Sequence, residues 1–198
     1  MKLFYSKTSP FVRKVLASAI TRNLDAQIEL VPVNPHASPP ELIAHNPLSK
    51  IPCLVTDDGY ALFDSTVICE YLDEISEFLP LFPPPGSARW RALKLQALGD
   101  GILDAAVLRR WERQRPSEPA RAAVIARQGE VIARALDLLE ADLPANHLDI
   151  GTITIACALG YLDFRTPEED WRARRPKLAG WMAHISEYEG LKRTVPSD

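Results

Sequence analysis

Four prolines and a glycine lie within nine residues, Leu79 to Ser87 (LPLFPPPGS), and they divide the chain into two parts of different periodicity. Proline fixes φ and lacks an amide donor, so neither a helix nor a paired strand runs through such a stretch; it reads as a stiff connector. Before it, β-rich runs alternate with helical ones. After it, no strand pattern of any length survives. The division predicts a domain at residues 1–79, a linker at 80–87 and an all-helical domain at 88–198.

In the first part, Lys2 to Ser6 predicts a strand and Pro10 to Asn23 a helix burying Val12, Val15, Leu16, Ala19 and Ile20. Gln27 to Val33 predicts a second strand, and a helix between two such strands implies a parallel crossover. Pro39 to Ala44 reads as a short helix stopped by Asn46-Pro47. The stretch His45 to Leu72 (HNPLSKIPCLVTDDGYALFDSTVICEYL) then carries a strand entered through Ile51-Pro52, a hairpin at Asp58-Gly59, a second strand and a helix from Ser65. Val67, Ile68, Tyr71, Leu72 and Ile75 have the spacing of one apolar stripe on that helix. The order is βαβαββα, an α/β domain. Beyond the linker, Ala88 to Arg115, Pro119 to Leu143, Asp149 to Tyr161 and Pro176 to Tyr188 predict helices, the first bent near Gly99 and Gly101. Asp149 with Thr152 resembles a capping box, and the apolar helix that follows belongs at the centre of its domain.

The formal charge is −3, divided as −4 over residues 1–80 and +1 over the remainder, so neither part offers the basic excess that nucleic acid attracts. Cys53, Cys69 and Cys157 are flanked mostly by apolar residues and show no CxxC or Cys/His spacing; they read as buried thiols in a reducing cytosol, with no metal. MKLFYSKTSP lacks the apolar core of a signal peptide, and no window reaches about 18 apolar residues, so no membrane segment is expected. A cytoplasmic protein is predicted.

The polar groups of the Ile51 to Ser65 region suggest a ligand. With Ile51-Pro52 in the cis form, the Ile51 amide and carbonyl would be left unpaired at a sheet end, free to hold a peptide backbone. Ser65 and the amides behind it suit a carboxylate, and Asp64 an ammonium group. A peptide backbone, an amino-acid head and a second carboxylate are all present in glutathione. The plainer alternative is that Ser65 caps a helix and Asp64 meets its dipole. Ser9 before Pro10 is likewise a good cap, and a hydroxyl at a helix start is also what stabilising a thiolate requires.

TSPFVRK at 8–14, NPLSKIPCL at 46–54, FDSTVI at 63–68 and DIGTITIACALGYLDFR at 149–165 together make the chain resemble a bacterial cytosolic glutathione transferase close to the omega-, tau- and zeta-like branches. The resemblance implies a thioredoxin-like first domain, glutathione as co-substrate and Ser9 as the residue acting on its thiol, with Tyr5, Ser6 and Thr8 as lesser candidates at the same helix start. Lys50, Ile51, Pro52, Asp64 and Ser65 would bind glutathione, Lys50 through the glycine carboxylate. His36 and Arg13 are further carboxylate or packing partners. A small hydrophobic electrophile would meet Phe11, Asp104, Val107, Leu108 and Trp111, with Leu103 in the same apolar wall. The resemblance also implies a homodimer, the Ser65 helix against the partner's Ala88 to Arg115 helix, and a role in detoxification. Serine at position 9 cannot form a mixed disulfide, so conjugation or peroxide reduction is favoured over thiol exchange. The alternative function is a non-catalytic binding or regulatory relative.

Overall fold

The computed structural model describes residues 1–197. The chain forms two compact units, one of residues 1–89 together with the segment from Tyr188 onward, the other Trp90–Glu187.

The first unit carries β1 (Lys2–Tyr5), α1 (Pro10–Thr21), β2 (Glu29–Pro32), α2 (Pro40–His45), β3 (Cys53–Val55), β4 (Ala61–Leu62) and α3 (Ser65–Glu74). The strands form one mixed sheet in the order β2-β1-β3-β4. β1 runs parallel to β2 and antiparallel to β3, and β3 runs antiparallel to β4, which is a thioredoxin-like arrangement. Alternation along the strands sorts the core into two layers. Phe4 and Cys53 are register partners and pack with Leu42 of α2. Leu3 and Leu54, partners on the other face, are fully buried. Helices α1 and α3 pack together, burying Val12, Val15, Ile68 and Leu72.

Two expected features of this unit differ. The second strand is shorter than Gln27 to Val33, because Asp25–Gln27 form a 3-10 turn ahead of it. The α3 stripe also divides: Ile68 and Leu72 are buried, whereas Val67 is 45% and Ile75 42% exposed. Helical spacing places residues on a face, but one neighbouring element covers only part of a stripe that broad.

The second unit is helical. Its elements are α4 (Ser87–Arg113, beginning in the first unit), α5 (Pro119–Ala141), α6 (Ile150–Arg165) and α7 (Pro176–Ile185). Helix α4 is continuous through Gly99, whose role is proximity: a Cβ there would fall 2.8 Å from Thr154 Cγ2. Every residue of α6 from Ile150 to Leu162 is buried, so this helix is the centre of the unit. The Asp149–Thr152 capping box closes in both directions, at 2.7 and 2.8 Å.

A helical domain continuing to residue 198 does not hold past Glu187. From Tyr188 the chain belongs to the first unit, where α8 (Glu189–Lys192) packs on α1. Arg13 donates to the Leu191 carbonyl at 3.3 Å, and Arg193 pairs with Asp25 at 2.8 Å. The predicted last helix accordingly ends at Ile185 rather than Tyr188.

Candidate functional site

The sheet pairing brings three separate segments to one edge. β1 and β3 are antiparallel with Phe4 opposite Cys53, and β3 and β4 with Leu54 opposite Leu62. The exit of β1, the entry of β3 and the exit of β4 therefore share one end of the sheet. Continuing the registers sets Ser6 across from Ile51, and Asp64 across from Pro52. Ser9, Ile51-Pro52 and Asp64-Ser65 are thus placed by one sheet end, although up to 56 positions separate them in sequence.

Ser9 is the N-cap of α1, and its hydroxyl accepts the Val12 amide at 3.3 Å. Its carbonyl accepts the Arg13 amide. Pro10 has no amide and the Val12 N–H is taken by the Ser9 hydroxyl, so the Phe11 N–H is the one first-turn donor of α1 without a hydrogen-bond partner among the described residues. The Ser9 O–H and this amide are both available to an anion at the helix start.

Both Ile51-Pro52 and Phe63-Asp64 are cis peptides. Among the described residues, neither the amide nor the carbonyl of Ile51 has a backbone hydrogen-bond partner. Asn46, buried and not singled out from sequence, organises this turn: its amide donates to the Lys50 carbonyl at 2.9 Å while its Oδ1 accepts the Leu48 N–H at 3.1 Å. Asn-Pro was legible only as a helix stop. The Lys50 side chain is exposed.

The cap of α3 is Asp64, not Ser65: its Oδ1 accepts the Thr66 amide at 2.9 Å. Ser65 occupies the first helical position and is 2% exposed. Cys53, directly after Pro52, is buried, which pushes its thiol up to about 11 and makes it a poor nucleophile.

Phe11 is half-buried on α1. On α4, Asp104 is exposed, Leu108 is 42% exposed, and Val107 and Trp111 are half-buried. Leu103 is fully buried and belongs to the core rather than to a ligand wall. Arg13, 6% exposed, is a packing residue through α8, while His36 lies exposed on a 3-10 turn. No helix among the described residues is long and apolar enough to cross a membrane.

A thioredoxin-like sheet with helix starts and a proline-entered strand at one end, followed by an all-helical unit, defines a two-domain thiol-handling class. The chain belongs to the glutathione S-transferase family: residues 8–75 match its N-terminal domain and residues 122–184 its C-terminal domain. The GST-like protein YibF of Escherichia coli K12 is 35% identical over 99% of this chain and 98% of its own length. A glutathione transferase family member from Pseudomonas fluorescens Pf-5, crystallised with bound glutathione, is 42% identical with a TM-score of 0.93. That match covers 100% of this chain and 99% of the other. A glutathione S-transferase from Methylobacillus flagellatus KT with glutathione bound is 36% identical with a TM-score of 0.90, over 99% of each chain.

Proposed function

We propose that this protein binds glutathione at the sheet end and transfers its thiolate to a small hydrophobic electrophile. The observation that carries the reading is the convergence of Ser9, the unpaired Ile51 backbone and the Asp64-Ser65 helix start on one edge. Ile51 holds the peptide backbone of the cysteinyl residue, Ser65 and the first amides of α3 take the γ-glutamyl carboxylate, and Asp64 takes its ammonium group. Lys50 meets the glycine carboxylate. Bound glutathione in the relatives from Pseudomonas and Methylobacillus supports the ligand.

Ser9 donates its hydroxyl hydrogen to the sulfur. A free thiol of pKa about 8.5 is only a few per cent thiolate at neutral pH. Lowering that by about two units takes about 2.7 kcal/mol. One hydrogen bond to a charge, about 1.5–3 kcal/mol, with about 0.5–1 from the helix terminus, supplies it. The thiolate then attacks the electrophilic carbon, a carbon–sulfur bond forms, and the leaving group departs with its electron pair. Because a less basic thiolate is also a weaker nucleophile, most of the acceleration comes from holding the electrophile in place. Phe11, half-buried on α1 two residues after Ser9, supplies apolar surface to that electrophile. Peroxide reduction by the same thiolate is the second expected activity.

The protein acts as a cytoplasmic homodimer in detoxification. Val67 and Ile75 on α3 and Trp90 on α4, the last 72% exposed, are apolar residues that a second copy would cover. Sedimentation equilibrium at micromolar concentration checks this point.

The deciding experiment is the ultraviolet absorbance of glutathione thiolate against pH, with saturating wild-type protein and with Ser9→Ala. A bound thiol titrating about two units below the free value, with most of that depression lost in the variant, is the expected result. Binding without a shift would make the protein a non-catalytic glutathione-binding relative.

A further inference from the structure

The Ile51 N–H, assigned above to the peptide backbone of glutathione, belongs to the peptide bond between Lys50 and Ile51. That bond is trans, since the cis bonds among the described residues are Ile51-Pro52 and Phe63-Asp64. A trans peptide is planar, and its C=O and N–H point in opposite directions. Whatever holds the Lys50 carbonyl therefore also aims the Ile51 N–H.

Asn46 holds it. The side chain is 1% exposed and spans the turn, its Oδ1 taking the Leu48 N–H at 3.1 Å and its Nδ2 donating to the Lys50 carbonyl at 2.9 Å. One end of this side chain meets a donor and the other an acceptor, a pairing that an amide matches and a carboxylate does not. With its carbonyl drawn onto a buried side chain, the peptide turns its N–H away from Asn46, and that N–H has no backbone partner among the described residues.

The turn itself is latched. Ser49 Oγ donates to the Pro35 carbonyl at 2.9 Å, joining the loop ahead of α2 to the turn behind it across 14 positions. Ser49 has a φ of 50°, a left-handed conformation that a residue other than glycine keeps only where its surroundings hold it. Its N–H donates to the Asn46 carbonyl at 2.9 Å, and the Asn46 N–H to the Leu42 carbonyl at 2.7 Å. Leu42 is fully buried with Phe4 and Cys53, and the His45 ring lies 5.6 Å from that of Phe4. Contacts thus run unbroken from the sheet core through α2 and Asn46 to the Ile51 peptide.

We propose that Asn46 and Ser49 are positioning residues for ligand capture: Asn46 aims the Ile51 N–H at the carbonyl of a bound peptide, and Ser49 keeps the turn closed behind it. This rests on the sheet end being the glutathione site proposed above. On that footing the peptide-binding amide is oriented before the ligand arrives, so less freedom is lost on binding. The pair acts on affinity and leaves the sulfur to Ser9, which stands on a separate segment.

Full-length protein labelled with 15N tests this through amide hydrogen exchange at Ile51, calorimetric titration with glutathione and the pH titration of the bound thiol. In wild type the Ile51 amide is expected to exchange freely without ligand and at least tenfold more slowly with saturating glutathione. Asn46→Asp keeps the acceptor for the Leu48 N–H and removes the donor to Lys50. It should weaken glutathione about tenfold, cut the protection of Ile51 at saturation below threefold, and leave the bound thiol within about 0.3 unit of its wild-type pKa. Ser49→Gly keeps the left-handed backbone, loses the latch, and should weaken glutathione about threefold with the thiol again unmoved. An Ile51 amide already protected in the free protein, an Asn46→Asp affinity within twofold of wild type, or a thiol pKa that rises in step with the lost affinity overturns the proposal, the last by showing a general loosening of the site. Ser49→Gly buries no charge and decides the matter where Asn46→Asp does not fold, an unchanged affinity then overturning the proposal. Wild-type protein that fails to bind glutathione overturns the glutathione reading and this one together, whereas normal binding by wild type with unaffected variants overturns this one alone.

Discussion

The Arg22 guanidinium, at the C-cap of α1, meets the Asp73 carboxylate, in the last turn of α3, at 3.0 Å with both side chains removed from solvent. Neither group is spent on the other alone. Arg22 Nη2 donates to the carbonyls of Asp73 and Ser76, each at 2.9 Å, and Nη1 to those of Phe78 and Leu79. The Asp73 carboxylate accepts the amides of Leu81 and Phe82 at 2.7 and 3.1 Å. One ion pair thereby fixes the path of the chain where the proline-rich stretch begins.

Removing one partner leaves the other buried and uncompensated, so Arg22→Leu and Asp73→Leu are each expected to cost about 3–5 kcal/mol. A double replacement of Arg22 and Asp73 by leucine should cost less than the two single losses added together. Urea denaturation of the three variants measures this, and strictly additive losses would remove the pair from the account.

Ser65 and Asp64 separate binding from stability. Asp64 rather than Ser65 supplies the cap of α3, so Ser65→Ala should leave unfolding within about 0.5 kcal/mol of wild type. Loss of one charge-assisted hydrogen bond, about 1.5–3 kcal/mol, should weaken glutathione by roughly ten- to a hundredfold. Asp64→Ala removes the cap on the Thr66 amide as well and should lower stability by about 1 kcal/mol. Calorimetric titration with glutathione beside thermal unfolding distinguishes the two. Equal stability losses in both variants would show Ser65 to be merely structural.

Asp149 starts the helix on which the second unit is assembled, and Asp149→Ala removes the arm of its capping box in which the carboxylate accepts the Thr152 amide, leaving the backbone N–H of residue 149 on Thr152 Oγ1. A loss of about 0.5–2 kcal/mol is expected. Asp149→Ser should recover most of it, since serine can accept the same amide. Melting temperature reads the difference, about 2–4 °C per kcal/mol in a chain of this size.

Burial raises the Cys53 thiol from 9.0 to about 11. The folded state keeps its proton over a range where the unfolded state has lost it, so stability falls as pH rises between those values. Below pH 9 the group contributes no slope. The whole loss is at most about 3 kcal/mol, and Cys53→Ala should abolish it. At pH 8 a thiol reagent should modify Cys53 only after denaturation, and rapid labelling of native protein would contradict the burial.

How far the site was legible in the sequence follows from the range of each signal. Ser9, Asp64-Ser65 and Ile51-Pro52 carry local marks, a cap before proline, a polar pair before an apolar stripe, a proline at a strand entry, and these survive in isolation. Asn46 does not: its role lies in hydrogen bonds that form only once residues 46–50 have closed into a turn. The choice of Asp64 over Ser65 as the cap was equally illegible, since either residue type serves and the backbone decides.

By itself the sequence determined the order of elements, the proline break, the Asp149 capping box and the alternation of the sheet, because each depends on φ/ψ preference or on spacing within a few residues. Tertiary structure alone decided which half of the α3 stripe is covered. It also returned the segment after Glu187 to α1, where Leu191 meets Arg13, and brought Glu169 to Arg109 across 60 residues. Periodicity states which residues share a face; what covers that face depends on contacts between elements far apart in the chain, and no local pattern encodes them.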